Sequence, residues 1–181
     1  MGAKYGGFNF FLMNAGSKTI TIFWSWQSDS PSRENRNFIQ DCLERAARNV
    51  AKSEAQAILV DRDTQGIGGT PKIAETILAK IRSSDIFVWD ATLVYTKPRP
   101  SPNPNVLLEL GYAFALLGEG RMIGVMNTAD RSGPSDLPFD LTHRRCLSRT
   151  RLQLHQVCSM ELNSSSTRRN VIKCVRIWLK K

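Results

Sequence analysis

Apolar residues in this chain change period from block to block, and each change marks an element. Residues 18–26 are rich in β-branched and aromatic side chains and predict a buried strand. A polar turn follows over 27–32. Phe38, Ile39, Cys42, Leu43, Ala46 and Val50 then recur at three- and four-residue spacing, which predicts an amphipathic helix over 33–53. Residues 57–60 predict a second strand. It runs into 61–71, where Thr70 as N-cap and Pro71 as first helical residue start a helix to Arg82. Residues 85–90 predict a third strand whose continuous apolar centre suits a parallel sheet covered on both faces. A proline-rich loop (Pro98, Pro100, Pro102, Pro104) leads into a helix with Asn103 as N-cap, and 121–126 predict a fourth strand.

Strand and helix alternate four times. The expected fold class is therefore α/β: a flavodoxin-like, doubly wound parallel sheet of four to five strands flanked by helices, with right-handed crossovers. Ligands of such sheets sit beyond the C-terminal strand ends. Segments 24–29, 61–71 and 90–105 are expected to converge there. Residues 1–17 read as a flexible leader, 18–145 as the domain, and 146–181 as a basic C-terminal segment with a terminal helix.

Composition narrows the class. The 181 residues, 41% of them hydrophobic, suffice for one domain with a proper core. No apolar run approaches the ~20 residues needed to cross a bilayer, and the short run 8–13 lacks the basic flank and cleavage site of a secretory signal. A cytoplasmic protein is expected. Cys42, Cys146, Cys158 and Cys174 show no C-x-x-C pairing, and His143 and His155 add no metal-ligand spacing, so reduced thiols and no metal site are expected. The net charge of +9 arises within 143–181, where the only acidic residue is Glu161. That basic segment reads either as a nucleic-acid arm or as the outer face of a last helix, since Val171, Ile172, Val175, Trp178 and Leu179 keep helical spacing. Without interleaved stacking aromatics, the helix is the better reading.

Chemistry concentrates on one carboxylate. Between Arg99 and Glu119 the only charged residue is Glu109. At about 100° per residue, Asn105, Glu109, Tyr112 and Leu116 share one helix face, and Val106, Leu110, Phe114 and Leu117 share another. A carboxylate in such surroundings is costly to desolvate, and burial raises its pKa. It either faces solvent or serves a pocket, where it can steady positive charge or move a proton. Gly66, Gly68, Gly69 and Thr70 lead into a helix N-terminus and can offer amides to a phosphate, although no Walker A lysine follows. Asp90, ending the third strand, either binds ribose hydroxyls or caps the next turn. Ser25 has no histidine to activate it. Trp24 and Trp26 read as core or pocket wall.

Ser25-Trp26-Gln27-Ser28-Asp29, Asp63-Thr64-Gln65-Gly66, the run 84–90 and Asn105-Val106-Leu107-Leu108-Glu109-Leu110-Gly111 together resemble the bacterial TIR-like, predicted nucleotide-binding family of antiphage defence systems. The resemblance covers residues 19–145, including Leu137-Pro138-Phe139-Asp140-Leu141. It implies a nucleotide-binding domain over 18–145 in which Glu109 is the glutamate needed for NAD cleavage. Segment 61–71 would be the mobile loop governing ligand access and assembly. Ser25, Trp26, Asp63, Gly66, Gly68, Gly69, Thr70, Asp90, Asn105 and Tyr112 become the candidate nucleotide-binding residues.

The same helix, with its Glu-Leu-Gly-Tyr-Ala run, also resembles nucleoside 2-deoxyribosyltransferases, whose glutamate is a nucleophile at deoxyribose. Both families act on an N-glycosidic bond. The expected activity is that of an NAD glycohydrolase, a hydrolase with NAD as substrate, no resident cofactor, homo-oligomeric contacts and no membrane partner. The alternatives are a nucleotide-sensing assembly module without enzymatic activity and a deoxyribosyltransferase-like enzyme.

Overall fold

A computed structural model describes residues 19–64, 66, 72–94, 99–127 and 133–142. Strand β1 (Ile20–Ser25) lies between β2 (Ile58–Asp61) and β3 (Ile86–Asp90), with β4 (Met122–Val125) beyond β3. Every pairing is parallel, and β1 meets β3 with Ile22 opposite Ile86 and Ser25 opposite Trp89. The helices α1 (Arg36–Glu54), α2 (Ile73–Ser83) and α3 (Pro104–Leu117) connect successive strands, and a short α4 (Phe139–Thr142) follows. This is the expected α/β architecture, with four strands among the described residues and the flavodoxin-like order β2-β1-β3-β4.

Side chains alternate between the faces of a strand, and the core divides accordingly. Ile20, Ile22 and Trp24 of β1, with Ile86 and Val88 of β3, pack against Ile39, Leu43, Ala46 and Val50 of α1. Phe23, Phe87 and Trp89 point the other way, against Ile81 of α2 and Val106, Leu110, Ala113 and Leu117 of α3. The chain thus winds leftward from β1 over one face and rightward from β2 over the other, as right-handed crossovers require. The direction reverses between β1 and β3, whose C-terminal ends flank the crevice where such sheets hold ligands. All five β3 residues are buried, in keeping with its uninterrupted apolar run.

The start of α3 shows how sequence sets local geometry. Asn103 Oδ1 accepts from the amides of Asn105 at 2.8 Å and Val106 at 3.3 Å, and Pro104 takes the first helical position, where a missing N–H costs nothing. Other boundaries depart from expectation. α1 begins at Arg36 rather than at 33, because residues 31–35 close a turn in which the amides of Glu34 and Asn35 donate to the Pro31 carbonyl. α2 begins at Ile73 with Lys72 in the N-cap position, its carbonyl accepting from Thr76, so the expected start at Thr70 and Pro71 is displaced along the chain. Thr70 and Pro71, the leader 1–17 and the basic segment 146–181 lie outside the described residues. No helix among the described residues is long and apolar enough to cross a membrane.

Asn103 also donates from Nδ2 to Asp29 Oδ2 at 2.6 Å, fastening the loop after β1 to the start of α3. Asn103→Ala removes both the cap and this tether. It is expected to lower stability by about 1 to 2 kcal/mol, read as a reduced urea midpoint with an unchanged denaturant slope.

Candidate active site

Ser25 is the last residue of β1 and shares the parity of Phe23, so its side chain points toward α3. Glu109 lies one turn inside α3, behind the cap. The two meet: Ser25 Oγ donates to Glu109 Oε2 at 2.6 Å, linking strand and helix across 84 residues of sequence. Ser25 is almost wholly buried and Glu109 is half-buried. Burial pushes the Glu109 carboxyl above its ordinary value, and the Ser25 hydroxyl draws it partly back. No cation among the described residues contributes to that balance. Asn105, one turn closer to the helix start, is exposed on the same face.

The first amides of α3 are already engaged. Pro104 has no N–H, Asn105 and Val106 donate to the Asn103 side chain, and Leu107 donates to the Asn103 carbonyl at 3.0 Å. An anion would find the field of the helix dipole here but few spare donors. On the same face, Trp89 sits opposite Ser25 in the strand register, and its indole nitrogen is buried without a hydrogen-bond partner.

Asp90 ends β3 at the same sheet edge but on the opposite face, with the parity of Ile86 and Val88. It is 0% exposed. Asn35 Nδ2 donates to its Oδ2 at 2.6 Å, the Thr92 amide donates to Oδ1 at 3.0 Å, and Gln27 adds a further side-chain hydrogen bond. Thr92 Oγ1 in turn donates to Asn35 Oδ1 at 3.2 Å and accepts from the Asn127 amide at 2.9 Å. These partners saturate the carboxyl, and solvent does not reach it. Asp90 thus joins the loop after β1, the start of α1 and the segments after β3 and β4. Burial pushes its pKa up to about 6 despite those hydrogen bonds.

The other candidates are dispersed. Trp26 is half-buried beside the α1 core, with the Arg36 guanidinium 4.5 Å above its ring. The Tyr112 hydroxyl accepts from Arg82 Nη2 at 3.0 Å and Nε at 3.2 Å, which joins α2 to α3. Asp63 is half-buried with φ +39° and lies 3.7 Å from the Arg62 guanidinium, and Gly66, at φ +82°, is exposed. Gly68, Gly69 and Thr70 lie outside the described residues. Among the described residues, no group of three His, Cys, Asp or Glu side chains is placed to hold a metal ion.

Sequence reasoning did not single out Asn35 or Thr92 and took Gln27 only as part of a turn. Gln27 Oε1 accepts from the amides of Asp29 and Ser30, and its Nε2 donates to Ser30 Oγ at 2.9 Å, so this one side chain shapes the loop after β1. A buried amide residue next to Trp26 was the available signal. Its partners are too remote in sequence for spacing to reveal.

Asp90 gives stability a distinctive pH dependence. The unfolded chain releases this proton near 3.8 and the folded chain near 6, so between those values only the folded state retains it. Stability from this group therefore falls as pH rises through that window and is level above it. Asp90→Asn removes the effect. The stability of the variant relative to the parent is expected to increase from pH 4 to pH 6.5 by about 2 kcal/mol, measured by urea unfolding across that range. No family model and no curated protein matches this chain.

Proposed function

We propose that this chain is a TIR-like NAD glycohydrolase in which Glu109 is the catalytic residue. The observation that supports this reading most is a half-buried carboxylate, hydrogen-bonded to Ser25 and uncompensated by any cation among the described residues, at the crevice where the winding of the sheet reverses. Nicotinamide bound to ribose is already cationic. When its bond to the anomeric carbon breaks, the electron pair leaves with the neutral base and positive charge develops on the ribosyl ring. A carboxylate held beside that carbon stabilises the charge electrostatically or as a transient ester. Water then adds to the carbon, and the products are nicotinamide, ADP-ribose and one proton. No general acid is needed for this leaving group.

Asn105, exposed one turn before Glu109, is placed to meet a ribose hydroxyl. Gly66, on the loop after β2, is the described candidate for the pyrophosphate side through its backbone amide. Asp90 serves the reaction by holding the loop after β1 in place.

The test is nicotinamide release from NAD by the full chain at high protein concentration, with Glu109→Gln beside it. The variant is expected to keep its circular dichroism and melting transition and to lose activity about 100-fold or more. Because ionised Glu109 is the active form and burial raises its pKa, activity is expected to fall on acidification at a pH above the ordinary glutamate value. Stoichiometric nucleotide binding without release would instead support a sensing module. Base exchange on a deoxynucleoside would support deoxyribosyl transfer.

A further inference from the structure

Glu109 has two carboxylate oxygens, and the structure treats them differently. Oε2 accepts the Ser25 hydroxyl at 2.6 Å, the one hydrogen bond to this carboxylate among the described residues. The donor sits on a central strand of the sheet, and Ser25 itself is 1% exposed. A serine at a buried strand end has few rotamers, and strand β1 is paired on both sides. The hydroxyl is therefore held by the sheet rather than by a loop. Glutamate has three rotatable bonds, and its parent helix restrains only the first firmly. Without Ser25, the carboxylate is free to turn about its last torsion.

We propose that Ser25 is a positioning residue for the proposed glycosidic cleavage: it locks Glu109 through Oε2 and so presents Oε1 to the anomeric carbon. This rests on the glycohydrolase reading of the site. It also replaces the expectation that Ser25 touches nucleotide directly. The Ser25 proton is directed at Glu109, so the residue has no donor left for a phosphate. Ser25 is not a nucleophile here, because its short bond to a carboxylate serves to orient that carboxylate and the residue is enclosed from solvent.

A hydroxyl donating to an anion favours the ionised form, and the nearby charged groups do not duplicate the effect. Among the described residues, burial and the Ser25 hydrogen bond alone set the Glu109 balance, with no part played by Arg82 or another cation. Removing the hydroxyl is therefore expected to raise the Glu109 pKa further.

Ser25→Ala, Ser25→Cys and Ser25→Thr, each made in the full chain, separate positioning from simple packing. Two readouts are needed: titration of the Glu109 carboxyl by carbon-detected NMR, assigned with Glu109→Gln, and nicotinamide release as a function of pH. The Ala and Cys variants are expected to shift the Glu109 titration upward and lower kcat about tenfold with KM unchanged. Their acid limb moves upward by the same amount, and Thr restores the parent behaviour. The Cys variant guards against loss of folding on truncation, since it keeps the volume of the side chain. An unmoved titration in both Ala and Cys variants overturns the proposal whatever happens to activity. A rise in KM with kcat unchanged also overturns it, because that assigns Ser25 to ground-state binding. A shifted titration in a parent protein that releases no nicotinamide refutes the glycohydrolase reading alone and upholds the link between Ser25 and Glu109.

Discussion

Parallel pairing of β1 with β3 is the constraint from which the site follows. Two strands separated by 60 residues of chain lie side by side because the chain leaves β1 in one direction, returns across it and continues in the other. That reversal leaves a gap between the departing loops at the C-terminal ends. It also places Ser25 and Asp90 at the rim of the same gap. Because strand side chains alternate, the parity of each residue then decides which helix layer it meets. Ser25 meets α3 and Glu109, while Asp90 meets the start of α1.

The two desolvated carboxyls resolve the cost of burial in opposite ways. Asp90 is enclosed and surrounded by amide and hydroxyl donors from three segments, so it acts as a knot joining the loops that frame the crevice. Glu109 keeps one hydrogen bond among the described residues and partial exposure, which suits the proposed chemistry. A fully satisfied buried polar group specifies structure, whereas a partly satisfied one at a crevice is available for chemistry. Tyr112 belongs with neither, since its hydroxyl bonds Arg82 at the end of α2.

Features encoded within a few residues were legible from the chain. Asn103 followed by Pro104 announced the start of α3, and the apolar positions Val106, Leu110 and Leu117 announced its buried face. The continuous apolar run of β3 announced a strand covered on both sides. The opposed facing of Ser25 and Asp90 was legible in part, because the apolar parity of each strand is written in the sequence. Turning parity into a choice of helix layer required the strand order. Contacts such as Asn35 to Asp90 and Ser25 to Glu109 span 55 and 84 residues, and no local spacing encodes them. The true starts of α1 and α2 were displaced because turn hydrogen bonds to Pro31 and the carbonyl of Lys72 outweighed the apparent capping signals.

The bond between Ser25 and Glu109 joins a strand to a helix, and the separation of those two elements is set by the side chains between them. Phe23, Trp89, Val106 and Leu110 act as shims whose combined thickness determines how far the carboxylate stands from the hydroxyl. Interiors at crystal-like density transmit small volume changes rather than absorbing them. A single methylene removed from or added to this layer changes the spacing at the rim, although none of these side chains reaches a ligand. The hydrophobic layer beneath the crevice is thus a dimensional standard for the chemistry above it.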